Sequence, residues 1–288
     1  MIGHPQYVDT NAALVALLER RRPAIAVHRG SGRGSIAENT AKGIRAAEVE
    51  GADIVEIDIV SSTDGEFFLF HDGYEPMAFR IAENITTLSS AQIDELNYGW
   101  CIEQPGAYPV ERLLDVLEAF PGTFFNVDRS WRWWPRLLDV MAEHGSVGHL
   151  LVKSPIVPDA VAALSAHPAP FPYIPIVRTP EEVEAVIADE GLNTVGFELL
   201  AQTADDPFCD VAYLSALRER GFALLLNALN LGNRVPLYAG FDDETSMLVD
   251  PDAGWGELVR QGAGIIQTDW PGPLKAYLES FEPMGALA

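Results

Sequence analysis

Read from its amino terminus, the chain alternates between two kinds of hydrophobic pattern. Short apolar, β-branched runs predict strands: AIAVH (24–28), ADIVEID (52–58), TFFNVD (123–128), HLLVK (149–153), YIPIV (173–177), TVGFEL (194–199), FALLLN (222–227) and GIIQTD (264–269). Between them lie stretches rich in Ala, Leu and Glu that predict helices: NTAKGIRAAEVEG, VERLLDVLEAF, PRLLDVMAEHG, PDAVAALSAH, PEEVEAVIADEG, DVAYLSALRERG and GWGELVRQG. Several of these end in Gly, the common helix stop. Eight strands interleaved with helices predict an α/β fold, a closed parallel (β/α)8 TIM barrel occupying residues 1–288 as one domain. The run EFFLFHDG (66–73) is an additional strand. It follows the turn signal SSTDG (61–65), so it is expected to form a hairpin with the second strand. Residues 73–109 are long for a connection and carry Gly, Pro, Tyr and Trp, which predicts an insertion over the barrel mouth.

Composition narrows the partners. Nineteen Lys and Arg against 42 Asp and Glu give a net charge of −23. Nucleic acid and anionic membrane surfaces are disfavoured, because both recruit basic patches. An anionic small molecule then requires a local cluster of cations. The two cysteines, Cys101 and Cys209, form no disulfide framework and read as reduced thiols. The start of the sequence lacks the pattern of a secretory signal, and no apolar run reaches the ~18 residues of a membrane helix. The chain therefore reads as soluble and cytoplasmic, with a small-molecule substrate and no integral membrane segment.

Chemistry gathers at the strand ends. In the second strand Val55, Ile57 and Ile59 share one face, while Ile54, Glu56 and Asp58 share the other. The apolar face suits the helix layer. The opposite face sends two carboxylates into the barrel, about 7 Å apart along the strand. Other runs also end in a polar residue: His28, Asp128, Lys153, Glu198, Asn227 and Asp269. The C-terminal strand ends are where this fold places its active sites. A ring of ionisable groups there requires compensation by a metal or a substrate. Glu56, Asp58 and Asp128 are candidate ligands of a hard dication, Mg²⁺ or Ca²⁺, whereas no histidines stand at zinc-ligand spacing. Of the six histidines, His4, His144 and His167 read as surface residues, and His149 starts a strand at the far end of the barrel. His28 and His71 each end a strand-like run and precede a charged residue and Gly, in HRG and HDG. Together, beside carboxylates, they suit general acid and base work.

This combination resembles the glycerophosphodiester phosphodiesterase family. The motifs that carry the resemblance are HRG (28–30), ENT (38–40), GADIVEIDIVSSTDG (51–65), HDG (71–73), FNVD (125–128) and IIQTDWP (265–271). The resemblance implies a (β/α)8 barrel with an insertion after the second strand, and a divalent cation held by Glu56, Asp58 and Asp128. It further implies that His28 and His71 are the acid/base pair, that Arg29 binds phosphate and that Glu38 orients Arg29. Two departures stand out. The third ligand position, often Glu in the family, is Asp128, and the lysine expected two residues later is Ser130. Lys153, at the next strand end, is the first candidate for the missing phosphate contact. Arg129 is the second, although strand alternation points it to the opposite face.

The implied reaction is metal-dependent hydrolysis of a glycerophosphodiester-like substrate to an alcohol and a phosphomonoester. A phospholipase D-like lyase that releases a cyclic phosphate and a non-catalytic sugar-phosphate binder are the alternatives. A Schiff-base aldolase built on Lys153 leaves both histidines unexplained. Trp131 and Trp270 are candidates for stacking on substrate, and Glu198 and Asn227 for binding its hydroxyls, while Trp133 and Trp134 are expected to pack under helices. The glycine-rich SGRGS (31–35) lacks the P-loop pattern and reads as a flexible loop that brings Arg33 to the mouth.

Overall fold

A computed structural model describes residues 2–281 apart from 22, 100–107, 145, 232 and 234. In chain order the strands are β1 (Ala24–Val27), β2 (Ile54–Ser61), β3 (Phe67–Leu69), β4 (Phe124–Asp128), β5 (Leu150–Val152), β6 (Ile176–Val177), β7 (Gly196–Leu199), β8 (Ala223–Asn227) and β9 (Ile265–Thr268). The helices are α1 (Val8–Arg20), α2 (Ala41–Glu50), α3 (Glu75–Ala78), α4 (Ser90–Asp94), α5 (Leu113–Ala119), α6 (Arg136–Glu143), α7 (Pro158–Ser165), α8 (Pro180–Ile187), α9 (Val211–Glu219), α10 (Asp243–Leu248), α11 (Trp255–Arg260) and α12 (Pro271–Ser280).

The parallel sheet runs β5-β4-β2-β1-β9-β8-β7-β6. Its two edges meet around residues 172–176: Ile174 donates to the Val152 carbonyl at 3.0 Å and Ile176 to that of Ser154 at 2.9 Å. The eight predicted runs are thus the eight staves of a (β/α)8 barrel. The extra run is β3, antiparallel to β2 with Val60 opposite Phe68. Each predicted helix is present, bounded by local chemistry. In α2 the Thr40 side chain accepts from the Gly43 N–H, and Gly51 ends the helix at φ 104°, where a side chain is strained.

Alternation along the strands splits the core in two. Val55, Ile57, Ile59, Phe125 and Val127 point outward and pack with helix residues such as Ile44, Leu113, Leu137 and Leu138. Ile54, Phe124, Leu151, Leu225 and Ile265 form the interior floor together with Leu14, Leu17 and Leu18 of α1. That helix plugs the barrel at the N-terminal strand ends, so the mouth faces away from it. A third cluster joins Val60, Phe68 and Phe70 to Ala78, Ile85, Ile93 and Tyr98. It anchors the described part of the 73–109 segment to the β2–β3 hairpin. Cys101 falls outside the described residues, while Cys209 is buried and unbridged. No helix among the described residues is long and apolar enough to cross a membrane.

One histidine departs from expectation. The His167 side chain is only 3% exposed, with Nε2 3.3 Å from Asp139 Oδ1, so it is a packed side chain between α6 and the end of α7 rather than a surface residue.

Candidate active site

The acidic cluster forms where β2 and β4 pair in register. Asp58 lies opposite Asp128, and Glu56 lies opposite Asn126. Glu56, Asp58 and Asp128 present oxygens that all lie within 4.8 Å of one another. Glu56 and Asp58 are buried, with 1% and 2% exposure. Burial, with Asp58 beside it, pushes the Glu56 carboxyl up to about 8. Three carboxylates gathered this closely repel one another, and an all-oxygen donor set fits a hard divalent cation.

The turn after β1 supports this cluster from one side. Arg29 is held left-handed at φ 52°, so its backbone N–H points back and donates to Glu56 Oε2 at 2.8 Å. Its side chain donates to Glu38 Oε1 at 2.9 Å, and its Nε lies 3.1 Å from Asp58 Oδ2. Asn39, in the ENT motif and also left-handed, clasps Asp58 twice. Its Nδ2 donates to Asp58 Oδ2 at 3.0 Å, and its Oδ1 accepts from the Asp58 N–H at 2.9 Å. Among the described non-glycine residues with positive φ, Arg29, Ser31, Asn39 and Arg129 all surround this site. Backbone strain of this kind persists only where the surroundings fix it.

The imidazoles come from neighbouring strands, His28 after β1 and His71 after β3, the hairpin partner of β2. His28 Nδ1 lies 2.8 Å from Asp269 Oδ1, at the end of β9. Burial alone lowers the His28 pKa, but the bond to Asp269 and the charges of Glu56 and Asp269 reverse this and leave it raised. After β3 the Phe70 N–H donates to the Asp58 carbonyl at 3.0 Å, which carries the chain directly to His71. His71 Nδ1 sits 3.0 Å from the Asp72 carbonyl. Burial, with Arg29 and Arg129 nearby, outweighs the charge of Asp58 and leaves its pKa lowered. Each imidazole therefore lies within electrostatic reach of the acidic cluster.

The two cations that the sequence offered in place of the missing lysine are both engaged. Lys153 is 2% exposed and bridges Asp128 Oδ2 at 2.9 Å and Glu198 Oε2 at 3.2 Å. The chain continues inward: Asn227 donates to Glu198 Oε1 at 2.8 Å, and Gln267 donates to the Asn227 Oδ1 at 2.8 Å. Lys153, Glu198 and Asn227 thus form a layer beneath the cluster. Burial works against the Lys153 charge, but Asp128 and Glu198 raise its pKa, while its ammonium holds Asp128 low despite burial. Arg129 corrects a sequence expectation. Its left-handed backbone (φ 53°) breaks strand alternation, so the side chain does not turn to the helix layer. Instead its Nε and Nη2 reach Asp72 Oδ1 at 2.8 and 2.6 Å, next to His71, and Arg132 reaches Asp72 Oδ2 at 3.1 Å.

A cleft of about 440 Å³ opens beside His28, lined by Arg29, Arg33, Glu38, Tyr74, Asp269 and Trp270 among others. Trp270 is 40% exposed. Trp133 and Trp134 pack against the outer core, and Trp131 lies in the turn that follows Asp128. Sequence reasoning left Asn39 and Asp269 without roles and missed Asp243. The buried Asp243 accepts from Trp255 Nε1, Thr268 Oγ1 and the Asp269 N–H at 2.7, 2.7 and 2.8 Å. Burial raises it to about 6. The ENT and TDWP motifs carried a signal for Asn39 and Asp269, whereas nothing in the sequence around Asp243 marked it.

The structure thus places carboxylates and two imidazoles at the C-terminal strand ends of a closed barrel. The model of the glycerophosphoryl diester phosphodiesterase family matches residues 28–146 of this chain. A second model, for a domain of unknown function, matches residues 173–278. Solved structures agree on the fold. A glycerophosphoryl diester phosphodiesterase from Parabacteroides distasonis superposes with a TM-score of 0.73 at 16% identity, covering 95% of this chain and 94% of its own. A glycerophosphodiester phosphodiesterase from Agrobacterium tumefaciens gives 0.65 at 20% identity, over 88% and 99%. A phosphodiesterase from Oleispira antarctica, solved with the product sn-glycerol-3-phosphate, gives 0.64 at 20% identity, over 91% and 99%.

Proposed function

We propose that the protein hydrolyses a glycerophosphodiester-like phosphodiester to an alcohol and a phosphomonoester, with a divalent cation held by Glu56, Asp58 and Asp128. The observation that carries this reading is the convergence of the three carboxylates beside the Arg29 turn at the C-terminal strand ends. When bound, a hard dication supplies Lewis-acid stabilisation of charge on the phosphoryl oxygens. The buried Arg29, fixed by Glu38 and Asp58, is the group that receives a phosphoryl oxygen. Glu38 sets its orientation.

The hydrogen-bond partners of the two imidazoles favour one assignment of the proton transfers. His28, whose pKa is raised by its bond to Asp269, donates to the leaving alkoxide from Nε2, because Nδ1 is held by Asp269. His71, lowered, is free base and takes the proton of the attacking water. Lys153, bonded to Asp128 and Glu198, acts as a counter-charge that holds Asp128 in place. Asp128 is one methylene shorter than Glu, and this ammonium beneath it fixes its position.

The test is a screen of divalent ions against glycerophosphodiesters and sugar phosphodiesters, with products identified by phosphorus NMR. A phosphomonoester formed with Mg²⁺ or Ca²⁺, and abolished by EDTA, is the expected result. A cyclic phosphate as the end product overturns hydrolysis in favour of the lyase reaction. Full turnover in EDTA removes the cation from the mechanism.

A further inference from the structure

The cleft beside His28 has two aromatic rings on its walls, and each already carries a guanidinium. The Arg29 Cζ lies 4.8 Å from the centre of the Tyr74 ring, and the Arg33 Cζ lies 4.4 Å from that of Trp270. Tyr74 and Trp270 are 37% and 40% exposed, so both rings belong to the cleft surface. An exposed aromatic pair beside carboxylates is the usual receptor for a quaternary ammonium. Here the stacked arginines cover part of each ring and repel a second cation.

Arg33 is placed by its loop. Gly32 passes so close to Glu38 that a Cβ there would meet the Glu38 nitrogen at 2.6 Å, which brings the next residue over the cleft. The Arg33 Nη2 donates to the Asp269 backbone carbonyl, and Nη1 donates to Glu50 Oε2 at 3.2 Å. The same Asp269 holds His28. Arg33 therefore stands beside Asp269 and Trp270 on the His28 side of the cleft, where the proposed acid role of His28 puts the departing alcohol. The cleft carboxylates are already matched: Glu38 by Arg29 and Asp269 by His28. Glu50, the partner of Arg33, is itself 36% exposed, a pair that solvent screens and a stronger anion displaces.

We propose that Arg33, stacked on Trp270, is the specificity-determining residue for the leaving alcohol, and that the alcohol it selects carries a negative charge. This rests on the phosphodiesterase reading of the site and adds the class of its substrate. Arg33 forms a charge-assisted hydrogen bond to a phosphate or carboxylate on that alcohol, while a trimethylammonium group meets two guanidiniums in place of open aromatic faces.

The experiment compares three glycerophosphodiesters whose second alcohol is glycerol phosphate, glycerol or choline. Binding is measured by calorimetry on the metal-free protein, and turnover on the metal-loaded enzyme, for the wild type and for Arg33→Lys, Arg33→Gln and Arg33→Glu. The expected order in the wild type is anionic, then neutral, then cationic. Arg33→Glu lowers affinity and kcat/KM for the anionic diester about 10- to 100-fold and brings the choline diester level with it or ahead. Arg33→Lys retains the order with a smaller span. An unchanged ratio between anionic and cationic diesters in Arg33→Glu, or a wild-type preference for choline, overturns the inference. Charge discrimination in binding without any turnover overturns the proposed reaction and leaves this inference standing.

Discussion

On one wall of the mouth, between β1 and β9, His28 is bonded to a carboxylate, Asp269, which in turn is held through its backbone by Asp243 and Arg33. On the other side, just after β3, the His71 ring nitrogen meets a backbone carbonyl, and the carboxylate of Asp72 is drawn off by Arg129 and Arg132. The same side chain thus gains a bonded carboxylate in one place, while in the other burial and nearby arginines outweigh the charge of Asp58. A neutral starting pKa near 6.5 is split in two directions by placement alone. Different environments separate the proton affinities of two chemically identical groups, which is what the proposed acid and base roles require.

The largest expected effect removes what both walls share. Chelation with EDTA, or Glu56→Ala, is expected to lower kcat by about 10³-fold or more, read in a steady-state assay with Mg²⁺ added back to the chelated enzyme. Loss of either imidazole comes next. His28→Ala and His71→Ala are each expected to cost about 10²- to 10⁴-fold in kcat while circular dichroism and melting temperature stay near wild type. Wild-type rates in both variants would dismiss the pair as catalysts.

The pH profile sharpens the comparison. A base must be deprotonated and an acid protonated. The lowered His71 places the rising limb below 6.5, and the raised His28 places the falling limb above it. The rate is therefore expected to be highest between the two limbs, around 6.5. Asp269→Asn removes the charge and hydrogen bond that raise His28, so the falling limb moves to lower pH, with about a 10-fold loss at pH 8. The smallest effect is expected for Arg129→Gln. Removing a cation that lowers His71 moves the rising limb up toward 6.5 and leaves the rate at pH 8 within about threefold of wild type. Movement of the same limb in both variants would show that the walls are not electrically distinct.

Much of the fold was legible because its causes are local. Strand alternation in ADIVEID put Glu56 and Asp58 on the face opposite Val55 and Ile57, and the core divides along that line. The turn signal SSTDG correctly marked a hairpin. Arg129 was misread for a physical reason. Alternation holds only while the backbone stays extended, and a left-handed residue directly after β4 redirects the side chain. His167 was placed on the surface because helix-end position says nothing about what packs against it.

The order of apolar and polar residues by itself determined the eight strands, their inward faces and the residue types at their C-terminal ends, since these follow from periods of two and 3.6 residues. Only the tertiary structure decided which charges meet. Lys153 and Glu198 are 45 positions apart, and His28 and Asp269 are 241 apart. Electrostatic energy depends on distance in space, which barrel closure sets and sequence separation does not.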